Sequence, residues 1–146
     1  MFVRITRDAI DPAAVLASVG ASDHGAEVLF LGMVRDHNGG RPVASILYEA
    51  YEAMAERMLA TLVAEAEARR PGIRIAAVHR VGELRVGEVS LAVAVSSAHR
   101  AEAFDAAREL IEEIKRRLPV WKEERYTDGE RRWLDGHIPP VPEAAR

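Results

Sequence analysis

The sequence predicts an α+β fold, a mixed or antiparallel sheet carrying two long helices, and three observations lead there. Short alternating or continuously apolar runs at 2–5, 27–35, 44–51, 73–81 and 89–96 read as strands. Two longer stretches, 53–70 and 98–118, carry apolar residues at helical spacing. Strands and helices are interleaved without a regular strand–helix repeat, which favours sheet and helices in separate layers.

In chain order, Phe2 to Ile5 alternate as a first strand. Asp11-Pro12 is an N-cap followed by proline at the first helical position, and Gly20 stops the short helix over 13–19. Glu27 to Arg35 is a buried strand. The turn-rich Asp36-His37-Asn38-Gly39-Gly40-Arg41-Pro42 follows, and strand character resumes at 44–51, so 27–51 reads as a hairpin with a long, mobile tip. In the helix over 53–70, Met54, Met58, Leu62 and Ala66 recur every four residues beside Leu59 and Val63, and both methionines are expected in the core. Pro71-Gly72 ends it. A strand over 73–81 and a connection over 82–87, itself partly extended, come next. Then Val89, Leu91, Val93 and Val95 alternate with Ser90, Ala92, Ala94 and Ser96, giving one large face and one small face suited to a closely packed helix. The second long helix, about 98–118, has a predicted buried stripe of Phe104, Ala107, Ile111, Ile114 and Leu118, and Pro119 stops it. Val120 to Tyr126 extends, Thr127 to Glu130 turns, and Trp133 anchors the last segment. One domain over residues 1–137 and a loose tail over 138–146 are expected.

Composition narrows the function. The chain has 146 residues and a net charge of −3, which argues against a dedicated nucleic-acid binder. No apolar run approaches membrane-spanning length and the start lacks a signal-peptide shape, so a cytoplasmic protein is expected. There is no cysteine, which excludes disulfides, thiolate metal sites and a cysteine nucleophile. Any sulfur chemistry must receive its sulfur from a partner. His24, His37, His79, His99 and His137 are scattered, and no metal site is expected.

Lysine occurs twice, at Lys115 and Lys122, while the other eighteen basic residues are arginine. Arginine stays charged at any working pH, whereas a desolvated lysine can lose its proton and act as base or nucleophile. Lys115 sits at the border of the second helix's apolar stripe, where partial desolvation and the neighbouring Arg116 and Arg117 would lower its pKa. Lys122 lies beyond the helix-stopping proline, so a basic last turn complementing the helix dipole does not account for it. His99-Arg100, after Ser96-Ser97 at the helix start, could seat a phosphate; the competing reading is that Ser96 or Ser97 caps the helix. Arg35 ends a strand beside a glycine-rich tip, a usual ligand position.

Taken together these stretches resemble the large, catalytic subunit of molybdopterin synthase. The matching segments are 30–38, 47–55, 78–84, 87–89, Val95 to Phe104 and Ile114 to Glu123, in order over residues 2–134. The resemblance implies an α/β hammerhead-type fold with a smaller β subdomain, and a homodimer. It implies a small ubiquitin-like sulfur-carrier subunit as partner, whose C-terminal thiocarboxylate enters a pocket. It implies sulfur transfer that converts cyclic pyranopterin monophosphate into molybdopterin, with no cofactor bound by this chain. The family's two active-site lysines fall on Lys115 and Lys122. Its substrate-binding positions fall on Met33, Val34, Arg35, His99, Arg100, Lys115, Lys122, Glu123 and Glu124. Lys115 would be general acid/base or the amine engaging the carrier's acyl carbon. Lys122 would hold the thiocarboxylate, and these roles are exchangeable. Glu123-Glu124 departs from the family, where another basic residue commonly follows the second lysine, and implies a less positive rim. The alternative is a non-catalytic anion- or carrier-binding module of the same fold.

Overall fold

The computed structural model describes residues 2–134; the expected domain end at 137 and the tail over 138–146 lie outside the described residues. The elements are β1 (Val3–Thr6), α1 (Pro12–Ala17), β2 (Ala26–Met33), β3 (His37–Asn38), β4 (Arg41–Ala50), α2 (Glu52–Arg69), β5 (Arg74–Arg80), β6 (Gly82–Arg85), β7 (Val89–Ser97), α3 (Arg100–Arg117), β8 (Val120–Tyr126) and β9 (Arg131–Trp133). Among the described residues no helix is long and apolar enough to cross a membrane.

Two sheets form. The first runs β1-β5-β7-β2, with β1 parallel to β5 and the other pairs antiparallel. The second is built around β4, which pairs with β8 on one edge and with β6 and β3 on the other, β9 lying outside β8. The mixed α+β architecture matches the fold class read from the sequence.

The hairpin expected over 27–51 does not form. β2 pairs with β7 in the first sheet, whereas β4 lies in the second. The chain changes sheets at Val34, whose N–H donates to the Glu88 carbonyl at 3.0 Å and whose carbonyl accepts from the Gly87 N–H at 2.8 Å. The hairpin that does form is short, β3 against the start of β4. Gly39 and Gly40 at its turn have φ of 58° and 77°, the left-handed pair that a two-residue hairpin turn requires.

The layers follow from β7. Its large face, Leu91, Val93 and Val95, is covered by Leu59, Leu62, Val63 and Ala66 of α2 and by Ala103, Ala106, Leu110 and Ile114 of α3. Its small face, Ala92 and Ala94, receives α1 through Val15 and, just beyond the helix, Val19. That is the close helix packing the small residues predicted, with Asp11 capping α1 by accepting from the Ala13 and Ala14 N–H groups. The second sheet has its own small core of Val34, Val43, Ile46, Leu84 and Tyr126.

Both predicted helix stripes are rotated at one edge. Met54 is 43% exposed and Phe104 61% exposed. A four-residue repeat drifts about 40° per step on a helix turning 100° per residue, so the Leu62–Ala66 line has rolled off the buried face by Met54. On α3 the buried positions are Ala103, Ala106, Ala107, Leu110 and Ile114, a stripe turned roughly 60° from the predicted one at 100° per residue. Small alanines against the sheet, rather than Phe104, define that face. Neither Ser96 nor Ser97 acts as the N-cap residue of α3; that position is His99, without a side-chain cap bond. Ser96 is buried, its Oγ donating to the Val19 carbonyl at 2.6 Å.

Candidate active site

The two lysines meet although they stand on different elements. Lys115 is in the last turn of α3, and Lys122 is the third residue of β8. Pro119 ends the helix and turns the chain into β8, which returns antiparallel to β4 with Lys122 directly opposite Tyr48. Both lysines line one cavity of about 420 Å³ between the two sheets and the end of α3. Met33 and Arg35, from the end of β2, line it too. Phe30, Leu91, Ile114, Leu118 and Val120 make apolar walls, and Tyr48, His79 and Ser90 add neutral polar groups.

The cavity's charged lining is cationic: Arg35, Lys115 and Lys122, with no acid among the lining residues. Such an arrangement attracts an anion. Burial lowers the Lys122 pKa, and the nearby charges of Lys115 and Arg35 lower it further, while Glu124 opposes them. Among the described residues no acid forms an ion pair with this amine, which leaves it ready either for an anionic group or for losing its proton. Lys115, expected to be partly desolvated, is exposed. The reason is the rotated stripe, which turns position 115 outward. Arg116 and Arg117, expected beside Lys115 as like charges, face acids instead: Arg116 pairs with Glu113 at 2.7 Å, and Arg117 with Glu65 at 2.7 Å and Glu113 at 3.1 Å.

Other expected site residues are placed elsewhere. The Val34 side chain belongs to the second core, and its backbone is bonded to the β6–β7 turn. Glu123 points to the opposite face of β8 from Lys122 and accepts from Arg125 Nε at 3.1 Å. Glu124 is 4% exposed, with Oε1 accepting from Asn38 Nδ2 and the Tyr126 hydroxyl, each at 3.0 Å. Neither acid lines the cavity, so the Glu123-Glu124 departure leaves its lining cationic. His99 and Arg100 stand at the far end of α3, about 22 Å from Lys115 at 1.5 Å per residue, and one chain does not bring them to the lysines.

Sequence reading singled out neither Tyr48 nor His79 as a site residue on chemical grounds. Their rings meet edge to face at 5.3 Å, 71° between planes. Burial pushes the His79 pKa down to about 4, with the Lys122 charge adding to it against the hydrogen bond to the Arg80 carbonyl. Burial also raises the Tyr48 pKa. The signal available was a histidine inside the otherwise apolar run Ile75 to Val81, where a polar ring needs a reason to be buried.

Comparison with known proteins agrees with this geometry. A family model described as MoaE protein matches residues 5–117. A protein named molybdopterin synthase catalytic subunit 1, from Mycobacterium tuberculosis, is 41% identical over 128 residues, 88% of this chain and 87% of that protein. One named molybdopterin synthase catalytic subunit, from Pyrococcus abyssi, is 44% identical over 126 residues, 85% of this chain and 84% of that protein. Among solved structures, molybdopterin synthase from Staphylococcus aureus superposes with a TM-score of 0.86 at 35% identity, covering 90% of this chain and 96% of that one.

Proposed function

Because the chain belongs to the MoaE protein family, we propose that it is the catalytic subunit of a molybdopterin synthase, a cytoplasmic sulfurtransferase that converts cyclic pyranopterin monophosphate to molybdopterin. The observation that carries this reading is the convergence of Lys115, Lys122 and Arg35 on one cavity with no acid in its lining. A cysteine-free chain needs sulfur brought to it, and a carrier's C-terminal thiocarboxylate is an anion small enough to enter. Lys122, half-buried and without an ion-pair partner among the described residues, receives that anion and donates hydrogen bonds to the oxyanion that develops at the acyl carbon. Lys115, at the solvent-facing edge of the same cavity, acts as general acid/base or engages the acyl carbon with its amine. Apolar walls on either side keep water from competing for these charges. The chain binds no cofactor of its own in this scheme.

His99 and Arg100 enter the scheme through a second copy of the chain. At about 22 Å from Lys115 they cannot reach substrate held there in their own subunit. In a homodimer they would present the start of α3, with its unpaired N–H groups and an arginine, to the phosphate of substrate bound at the partner's lysines. Two measurements test the proposal. With thiocarboxylated carrier and cyclic pyranopterin monophosphate the protein forms molybdopterin; absence of product would leave only a binding module. Arg100→Ala and Lys122→Ala, each inactive alone, regain activity when refolded together, because mixed dimers hold one intact site. No recovery on mixing would remove the shared-site reading.

A further inference from the structure

In the proposed scheme the substrate phosphate is seated at the start of α3, and the helix does little to hold that end by itself. Its N-cap residue is His99, which makes no side-chain cap bond. The Ser97 Oγ accepts from the His99 N–H at 3.4 Å, a long contact. Arg100 is the first residue of the helix, so its place depends on what fixes the backbone just ahead of it.

That backbone is tied from outside, by the loop between α1 and β2. The Gly25 N–H donates to the Ala98 carbonyl at 3.3 Å. A Cβ at position 25 would lie 3.0 Å from the same oxygen, so glycine is what lets the loop come this close. His24 makes a second tie, with its Nδ1 2.7 Å from Ser96 Oγ. Ser96 has one hydroxyl proton, and it goes to the Val19 carbonyl at 2.6 Å. The His24 Nδ1 therefore carries a proton and donates it to Ser96 Oγ. The His24 side chain is 8% exposed, and its Nε2 stands 4.0 Å from the Asp23 carboxylate, beyond hydrogen-bond reach. The bond to Ser96 is thus the contact that orients the ring. Beyond the loop, Ala26 of β2 sits opposite Ser97 of β7, and His24, Ser97, Ala98 and His99 line one hollow of about 370 Å³.

We propose that His24 is a positioning residue for Arg100: its hydrogen bond to Ser96, together with the Gly25–Ala98 bond, splints the turn from β7 into α3 and sets where the helix presents Arg100 to the substrate phosphate. A splint suits this task better than a cap. A capping side chain would accept from the first N–H groups of the helix, the donors that a phosphate needs. Ties at residues 96 and 98 fix the turn and leave those donors for the ligand. An arginine meeting a phosphate with two N–H groups is sensitive to such placement, because its fork must face the oxygens squarely.

The proposal rests on the reading of Arg100 as a phosphate-holding group, and the experiment separates the two. His24→Phe keeps a ring in the same space and removes the donor. His24→Asn is the conservative variant, since its amide N–H can stand where Nδ1 stands. Affinity for cyclic pyranopterin monophosphate is measured by equilibrium binding, and exchange of the Gly25 amide is followed by NMR without ligand. His24→Phe should bind substrate about tenfold more weakly, the scale of one impaired hydrogen bond to a charged group. Its KM should rise alike with kcat and carrier binding retained, and its Gly25 amide should exchange faster. His24→Asn should recover both affinity and protection. In an Arg100→Ala chain, adding His24→Phe should weaken binding no further. Wild-type affinity in His24→Phe, where Arg100→Ala binds weakly, overturns the positioning role and leaves the phosphate seat standing. A further tenfold loss on top of Arg100→Ala also overturns it, as does a His24→Asn variant as weak as His24→Phe. Undiminished binding in Arg100→Ala removes the seat and the proposal with it. Ser96→Ala, which removes the acceptor, takes the place of His24→Phe with the same expectations if that variant does not fold.

Discussion

Replacing His79 by glutamine should flatten the acid side of the protein's stability curve. An unfolded histidine titrates near 6.5, whereas burial, with the Lys122 charge added, holds His79 in the folded protein at about 4. The folded pKa is depressed, so the unfolded chain binds the proton first as the pH falls. Stability from this site is complete above about 6.5 and is lost on the way down to about 4. Integrating one site with those two values gives a loss of about 2 kcal/mol at pH 5 relative to pH 7.5. Glutamine cannot titrate, so the variant lacks this loss. Glu65, Glu109, Glu113, Asp36 and Asp128, whose pKa values are lowered by their arginine, histidine or backbone partners, titrate alike in both proteins and cancel. Urea unfolding at about pH 7.5 and pH 5 measures the wild-type minus variant gap at each, and the gap should shift by about 2 kcal/mol in the variant's favour at the lower pH. A gap of equal size at both pH values would refute the reasoning, because it would mean that His79 is not held neutral beside Lys122.

The desolvated lysine gives a second expectation, that Lys122→Met raises stability at neutral pH by roughly 0.5–2 kcal/mol while ending product formation. Thermal unfolding checks it at about 2–4 °C per kcal/mol for a chain of this size, and a lowered midpoint would contradict the picture of a cation whose burial costs stability. On α3, Leu110→Ala should cost about 2–5 kcal/mol and Phe104→Ala less than about 0.5 kcal/mol, read by urea unfolding. The reverse ranking would restore the stripe centred on Phe104.

Much of the fold was legible because local patterns and packing agree. The alternation in β7 gave both faces, and Asp11-Pro12 gave the start of α1. Where the reading failed, a non-local partner decided. The apolar run of β2 has the composition of a hairpin arm, but its faces are covered by helices on both sides of the first sheet, and the strand that satisfies it is β7, far along the chain. Phe104 carries more hydropathy than Ala103 or Ala106, yet the alanines allow α3 to approach the sheet and so decide its rotation. The site divides in the same way. Lys115 and Lys122 stood out by composition, because every other cation is an arginine. His79 and Tyr48 did not, since the β4–β8 pairing sets Tyr48 opposite Lys122 and a contact between the two sheets brings His79 to Tyr48. His99 and Arg100 were read as one site with the lysines, but the length of α3 separates them within a chain.

The central claim, that the cavity shared by Lys115 and Lys122 performs the sulfur transfer, is tested most directly by single-turnover molybdopterin formation in Lys115→Arg and Lys122→Arg, with carrier binding measured alongside. Both substitutions keep the charge and remove the lysine amine. The account predicts that each variant still binds carrier while product formation falls on the order of a hundredfold or more, the scale of losing one acid–base or oxyanion-stabilising group. Wild-type rates in both variants would contradict it.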